Sequence, residues 1–268
     1  MINVAVIGAA GRMGRRLVSN ITATDNMQLS GALEIAGSPF VGHDAGAVAG
    51  ITPLDVVISD SLETALQGAD AIIDFSLGDV VATAEAAAAR NCAVVIGTTA
   101  LGDEGRAALQ KIADEQNGRI VFASNMSVGV NLLFKLCGEV TKILGEDYDI
   151  EIVEMHHNQK KDAPSGTAVS IAEVITEARG LSYAEDVVHG REGIVGARTS
   201  KEIGMHAVRG GDVVGDHTVI FATGGERIEL THKASSRDTF AKGAVRAVQF
   251  LVKQDAGLYD MQHVLGLK

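Results

Sequence analysis

Residues 4–8, VAVIG, run apolar without alternation and end in a glycine, and Gly11 and Gly14 follow at the same interval. A strand that is apolar on both faces belongs inside a sheet covered on both sides. A glycine-spaced turn after it, leading into the helical stretch 12–21, sends the chain straight back across that sheet. The pattern then repeats as far as residue 123. Strand-like runs at 29–34, 56–59, 71–75, 93–97 and 120–123 are interleaved with helical stretches at 61–66, 80–90 and 103–116. Such alternation predicts an α/β unit built on a parallel, doubly wound sheet.

The second half changes character. A helix over 128–144, a strand over 148–155, a polar loop and a helix over 165–179 precede four strand-like runs at 187–189, 203–208, 213–222 and 227–231. No helix is expected between those four, which predicts a mixed or antiparallel sheet and an α+β unit. The amphipathic stretch 239–252 is expected to pack back on the first unit. The expected domains are therefore 1–127 with 237–268, and 128–236. A chain of 268 residues is long enough for both on a prior of roughly 150 residues per domain.

The formal net charge is −11, which disfavours nucleic acid or an anionic membrane as the main partner. No apolar stretch approaches the ~18 residues of a membrane span. The opening residues run into glycines without a basic segment or cleavage pattern, so no leader peptide is expected. Cys92 and Cys137 lie in apolar runs without metal-ligand spacing and read as buried free thiols in a reducing cytoplasm. The acidic balance also sets a condition. An anionic ligand needs a local cluster of Lys, Arg and His.

Glycines at a strand-to-helix turn let the backbone approach a pyrophosphate, whose charge the helix N-terminus stabilises. Gly8, Ala9, Ala10, Gly11, Arg12 and Met13 would form that loop, with Ala10 where the usual fingerprint has its second glycine. A tight turn with no ligand is the plainer alternative. Glu34 favours the dinucleotide, because it ends the second strand twenty residues past Gly14, where an acid meets the adenine ribose. A carboxylate accepts from a free 2′-OH and repels a 2′-phosphate, and residues 35–38 (Ile-Ala-Gly-Ser) offer no base. The expected cofactor is NADH, with NADPH possible through Arg12. Gly97, Thr98 and Thr99, and likewise Ser124, Asn125 and Met126, follow strands at the carboxyl edge of the sheet. They are either plain loops or the surroundings of the nicotinamide and its ribose.

The densest run of reactive side chains is 154–167, EMHHNQKKDAPSGT, between a strand and a helix. Pro164, Ser165 and Gly166 mark a helix start with Ser165 or Thr167 as its cap, and backbone N–H groups there suit a carboxylate. His156, His157 and Lys160 add positive charge, which meets the condition set by the acidic background. Paired histidines also suit a metal. Neighbours on an extended segment point to opposite faces, however, no cysteine accompanies them and no HExxH is present, so no metal is expected. Hydride reduction of a conjugated C=C or C=N builds negative charge that a proton must quench, a task suited to histidine. A lysine can hold a substrate carboxylate and stabilise developing charge.

The run EMHHNQKKDAPSGTA resembles the E-x-H-H-x-x-K-x-D-A-P-S-G-T-A signature of the 4-hydroxy-tetrahydrodipicolinate reductases. GAAGRMGR, VIGTTA, FASNMSVGVN, VRGGDVVGDHT and THKASSR resemble further segments of that family in order, so the likeness spans essentially the whole chain. It implies a Rossmann-like domain completed by the C-terminal helix, and a substrate domain through whose sheets a homotetramer is built. It also implies a small dicarboxylate substrate on the diaminopimelate route to lysine, with hydride passed to ring C4, loss of water, and domain closure.

By position, the resemblance makes His156 the acid/base, Lys160 a second proton donor, His157 a substrate contact, and the Gly166–Thr167 backbone a carboxylate site. It places the Gly8 to Met13 loop and Glu34 on the dinucleotide. Gly97, Thr98 and Thr99, with Ala123, Ser124, Asn125 and Met126, fall around the nicotinamide end. Ile35 stands where some members carry an Arg that favours NADPH, and Met126 where others have Phe. Arg209, His217, Lys233 and Arg237 lie in other matching segments and either bind carboxylates or pair with Asp212, Asp216 and Glu229.

Two rivals remain distinct from this reading. A cofactor-binding regulator without turnover would keep the glycine loop beside a degraded second site. A related two-domain amino-acid or semialdehyde dehydrogenase would share the first unit and lack the HHxxKxDAPSGT run. That run is complete here, and it separates the readings where fold analogy does not.

Overall fold

The computed structural model describes residues 1–98 and 101–268, so the expectation placed on Thr99 lies outside the described residues. The chain divides into two compact units, Met1–Val128 with Arg237–Lys268, and Gly129–Ser236. In the first, β1 (Ile2–Ile7) leads through the glycine turn into α1 (Arg12–Thr22). Then come β2 (Met27–Leu33), α2 (Ala45–Ala49), β3 (Ile58–Ser59), α3 (Leu62–Ala65), β4 (Ala71–Asp74), α4 (Val80–Ala88), β5 (Ala93–Ile96), α5 (Gly102–Glu115) and β6 (Arg119–Phe122). At the boundary α6 (Val128–Leu144) begins the second unit, followed by β7 (Asp149–His156), α7 (Gly166–Arg179), α8 (Tyr183–Asp186), β8 (Val187–His189), β9 (Ile203–Arg209), β10 (Gly215–Thr223) and β11 (Glu226–Ala234). The chain then returns to the first unit as α9 (Asp238–Leu251), β12 (Gly257–Tyr259) and α10 (Met261–Val264).

Seven strands of the first unit form one parallel sheet in the order β12-β6-β5-β4-β1-β2-β3. Alternation along β1 sends Val4 and Val6 to a layer with Leu17 and Ile21 of α1 and Ala244 and Val248 of α9. It sends Ala5 and Ile7 to the opposite layer, with Ala84 of α4 and Leu109 and Ile112 of α5. Both faces are covered, which is why the strand reads as unbroken apolar residues. The strand order reverses at β1, whose neighbours are β2 and β4. A ligand crevice is expected at the carboxyl ends of the strands at such a switch point.

The elements α2, α8, β12 and α10 lie outside the sequence expectation, since three to five residues are too few to show a period.

The second unit carries a five-stranded sheet, β11-β10-β7-β9-β8. It is mixed: β7–β10 and β10–β11 are antiparallel, while β7–β9 and β8–β9 are parallel. Leu133 and Cys137 of α6 and Ile171 and Ile175 of α7 cluster with Ile150, Ile152, Met205, Val219 and Phe221 of the sheet. Along β7 burial alternates, so Ile150, Ile152, Glu154 and His156 share the covered face. The period that buries two isoleucines therefore carries a carboxylate and an imidazole to the same side. On the other face, Arg191 and Arg198 reach Glu151 at 2.7 and 3.0 Å and tie down the 190–202 loop.

Within the first unit α9 approaches the loop after β6 at backbone contact: a Cβ on Gly243 would lie 1.7 Å from the Met126 carbonyl oxygen. Gly243→Ala is expected to destabilise the protein by about 1–3 kcal/mol through over-packing. Calorimetry should show a lower melting temperature, and an unchanged one would mean that this contact does not hold α9 in place.

Candidate active site

The buried end of β7 holds a polar cluster centred on one carboxylate. Glu154 is 0% exposed, and its two oxygens are shared evenly. Oε2 accepts from Arg209 Nη1 at 2.8 Å and from His156 Nδ1 at 2.6 Å. Oε1 accepts from Arg209 Nη2 at 2.8 Å and from the Ser165 backbone N–H at 3.0 Å. The parallel register of β7 with β9 sets Arg209 opposite His156, which is why the guanidinium reaches the carboxylate with both prongs. Burial alone would push Glu154 up. Hydrogen bonds from His156, Arg209 and the Ser165 N–H outweigh it and hold the carboxyl down at about 2.

An ionised Glu154 can only accept, so His156 donates from Nδ1 and its other ring nitrogen, Nε2, faces away from the anchor. Nε2 points towards Gly215 on β10, where a Cβ would stand 3.0 Å from it. The absence of a side chain there keeps room around that nitrogen. His157 leaves the strand end with its N–H bonded to Val213 O at 2.7 Å. Lys160 places Nζ 2.9 Å from Asp162 Oδ2, and the Asp162 carbonyl accepts from Arg209 Nη2 at 2.8 Å. The ammonium is thus held in the loop that also carries His157.

Ser165 caps α7, its Oγ accepting from the Ala168 N–H at 3.2 Å. The same Oγ lies 3.0 Å from His217 Nε2. His217 is buried, its ring 5.2 Å from that of His156 in an edge-to-face arrangement, and its Nδ1 has no hydrogen-bond partner. Burial, then the nearby His156, pushes His217 down to about 3 and keeps it neutral at pH 7. Gly166 and Thr167 form the first turn of α7, Gly166 exposed and Thr167 buried. His156, His157, Lys160, Gly166 and Thr167 are all carried by one strand end, one loop and one helix start of the second unit.

The structure corrects two expectations here. Arg209 pairs with Glu154 rather than with Asp212, Asp216 or Glu229, because the β7–β9 register puts it beside His156. His217 lies on the covered face and contacts Ser165 and His156, not the acids of the strands. The joint role of Glu154, Arg209, Ser165 and His217 was not read from the sequence. The signal that could have found it is the two-residue spacing of Glu154 and His156 on a strand, which puts both on one face.

In the first unit the glycines of the turn do different work. Gly8 adopts φ +75°, and a Cβ on Gly14 would lie 2.0 Å from the Gly8 carbonyl oxygen, so only glycine lets α1 pack on the turn. Gly11 caps α1 without a side-chain bond. Ala9 and Ala10 bury their methyl groups in the core and offer a ligand only backbone, while Arg12 is exposed and Met13 packs partly against the core. Ala10 is held from both sides: its N–H donates to Glu34 Oε1 at 2.8 Å, and its carbonyl accepts from Arg15 Nε at 2.8 Å. Arg15 in turn lies over the Phe40 ring, 5.0 Å from its centroid.

A helix N-terminus without a side-chain cap at a glycine turn, and a carboxylate at the end of β2 tied to that turn, fit a nicotinamide dinucleotide. Gly97 abuts Phe75 so closely that a Cβ would meet the ring at 2.2 Å, and half-buried Thr98 follows it. Ser124 is exposed, and the Asn125 side chain accepts from the Ser127 N–H at 2.8 Å. Met126 is 1% exposed in the core beside α9, and Ala123 is also buried.

A doubly wound sheet with a glycine turn at its switch point, and a separate unit carrying a histidine–lysine site, define a two-unit nicotinamide-dependent oxidoreductase. The family model for dihydrodipicolinate reductase, N-terminus, matches residues 2–126, and that for the C-terminus matches residues 129–265. The chain belongs to the dihydrodipicolinate reductase family. It is 54% identical over 269 residues to the 4-hydroxy-tetrahydrodipicolinate reductase of Syntrophotalea carbinolica, covering 100% of both chains. It is 51% identical over 270 residues to that of Geobacter sulfurreducens, again covering 100% of both. Among solved structures, the dipicolinate-bound dihydrodipicolinate reductase from Paenisporosarcina sp. TG-14 is similar with a TM-score of 0.75, at 26% identity over 97% of each chain. Scyllo-inositol dehydrogenase from Lactobacillus casei, solved with NAD(H) and scyllo-inositol, shares the fold with a TM-score of 0.60 at 14% identity, over 99% of this chain and 93% of that one.

The neutral buried histidine makes stability depend on pH. The unfolded chain takes up a proton at this side chain below the ordinary histidine value of 6.5, whereas the folded chain resists it down to about 3. The stability associated with neutral His217 is complete above that upper value and is lost as pH falls towards the lower one. His232, also lowered by burial, adds to the same slope. His217→Gln is expected to flatten the fall in melting temperature across this window. A variant with the wild-type slope would rule His217 out as its source.

Proposed function

We propose that this chain reduces 4-hydroxy-tetrahydrodipicolinate to tetrahydrodipicolinate with a reduced nicotinamide dinucleotide, on the diaminopimelate route to lysine. The observation that carries the reading is family membership across both halves, joined to a complete 154–167 run held at one buried sheet end. The turn formed by Gly8 to Met13 would hold the cofactor, which would supply hydride to ring C4. Loss of the 4-hydroxyl as water takes a proton to the leaving oxygen and releases one from the ring. The hydride that follows takes a second at the ring, so two deliveries and one release consume one proton in all. His156 carries one at Nε2, opposite the nitrogen anchored on Glu154. Lys160 carries the second at Nζ, which Asp162 holds in place. His157 and the first turn of α7 at Gly166 and Thr167 bind the substrate carboxylates, supported by the capped helix start at Ser165.

The preferred cofactor in this reading is NADH. Support comes from the Glu34 carboxylate at the end of β2 and from Ile35, 78% exposed, in the next position. Arg12 and Arg15 at the start of α1 keep NADPH usable. The chain is proposed to assemble as a homotetramer through the uncovered faces of its second-unit sheets, where Val153, Met155, Val208 and Ile220 lie. It is proposed to work in the cytoplasm, where Cys92 and Cys137 stay reduced. Among the described residues no helix is long and apolar enough to cross a membrane.

The test follows the absorbance of reduced nicotinamide, with substrate generated in situ from pyruvate and aspartate semialdehyde by the upstream synthase. Turnover should be faster with NADH than with NADPH. His156→Ala and Lys160→Ala should each lower kcat by about 10²- to 10⁴-fold, with little change in melting temperature. Equal use of both cofactors would discard the preference alone. No turnover by folded protein that binds NADH would discard the substrate.

A further inference from the structure

We infer that Glu154 is a positioning residue that serves both halves of this site at once: one oxygen orients the proton donor His156, the other fixes the start of α7, and Arg209 neutralises the charge. The inference deepens the proposed reaction and rests on that reading. It starts from how the four contacts divide. Each Glu154 oxygen carries one arginine nitrogen and one group of the site, His156 Nδ1 on Oε2 and the Ser165 N–H on Oε1. A carboxylate accepts about four hydrogen bonds, so none of its capacity is idle and its plane is fixed from both ends. A purely structural ion pair would need Arg209 alone. A sheet face built of Ile150 and Ile152 would in any case be served as well by apolar residues, because buried ion pairs bring little net stability.

Among the described residues, groups from several surrounding elements face this pair. Arg209 comes from β9, His217 from β10 and His232 from β11; Lys160 and Asp162 lie in the loop, and Ser165 starts α7. His217 is neutral, and the Lys160 charge is met by Asp162. Glu154 and Arg209 are therefore the charges whose balance His156 senses most directly, and removing one or the other must act on it in opposite senses.

Replacing the carboxylate by its amide tests this. In Glu154→Gln the carbonyl oxygen keeps the Ser165 N–H, which cannot change its role. The amide NH₂ then faces His156, which can, by moving its proton from Nδ1 to Nε2. Glu154→Gln should lower kcat by between about 10-fold and about 10⁴-fold, the span seen when the carboxylate orienting a histidine is removed or neutralised. Its dissociation constant for the probe dipicolinate should change far less. The alkaline limb of the kcat profile should move to lower pH in Glu154→Gln, where a guanidinium remains without its anion. In Arg209→Met, which leaves the anion without its guanidinium, the limb should move to higher pH. Nitrogen-15 NMR of the histidine rings should show neutral His156 protonated on Nδ1 in the wild type and on Nε2 in Glu154→Gln.

A folded Glu154→Gln variant with wild-type kcat, limb and tautomer would overturn the inference. So would limbs that move in the same direction in both variants. Should Glu154→Gln fail to fold, an unmoved limb in Arg209→Met overturns it instead. The tautomer is read without turnover, so a wild type inactive on this substrate would remove the proposed reaction and still leave the hold of Glu154 on His156 to be judged.

Discussion

Taking a carboxylate out of water costs several kcal/mol unless its lone pairs and its charge are both met. In the second unit everything near the site is arranged around one such carboxylate. Glu154 has no exposed surface, yet it is met by a guanidinium on the neighbouring strand, an imidazole two residues along its own strand and the first N–H of a helix start. Each partner is placed by ordinary secondary structure. The parallel register supplies Arg209, strand alternation supplies His156, and the cap at Ser165 supplies the helix. Remove the carboxylate and three elements lose a common point of attachment.

The acidic background gives this arrangement a further meaning. With a net charge of −11, the chain must concentrate cations wherever an anion is to bind. Yet two of the cations nearest the site are already engaged, Arg209 by Glu154 and Lys160 by Asp162. The positive end of α7 and the adaptable proton of His156 therefore matter more than a count of basic residues suggests.

Much of the fold was legible because it depends on periods long enough to see. Unbroken apolar runs announced strands covered on both faces, and glycine spacing announced the turn at β1. What escaped was short or depended on register. The three residues of β12 carry no period, and they add a seventh strand from the far end of the chain. Met126 follows a strand at the carboxyl edge of the sheet; nothing local reveals that Gly243, more than a hundred residues later, lets a helix close over it. In the site, the run from His156 to Thr167 was visible as chemistry. The pairing of Arg209 with Glu154 was not, since it is written in the alignment of two strands and not in either one.

The return of the chain to the first unit has a consequence for how this protein is made. The second unit is one continuous segment, Gly129–Ser236, whose strands and covering helices are all present once that segment has been synthesised. The first unit is not. Its β6 strand remains the edge of the sheet until Gly257–Tyr259 arrive to pair with it, and α9 comes only shortly before. An uncovered strand edge is a template for pairing with another chain. During translation, then, the part of the molecule that appears first is the last to be finished. It spends the whole synthesis of its neighbour with β6 unpaired on one side and without the α9 layer of its core.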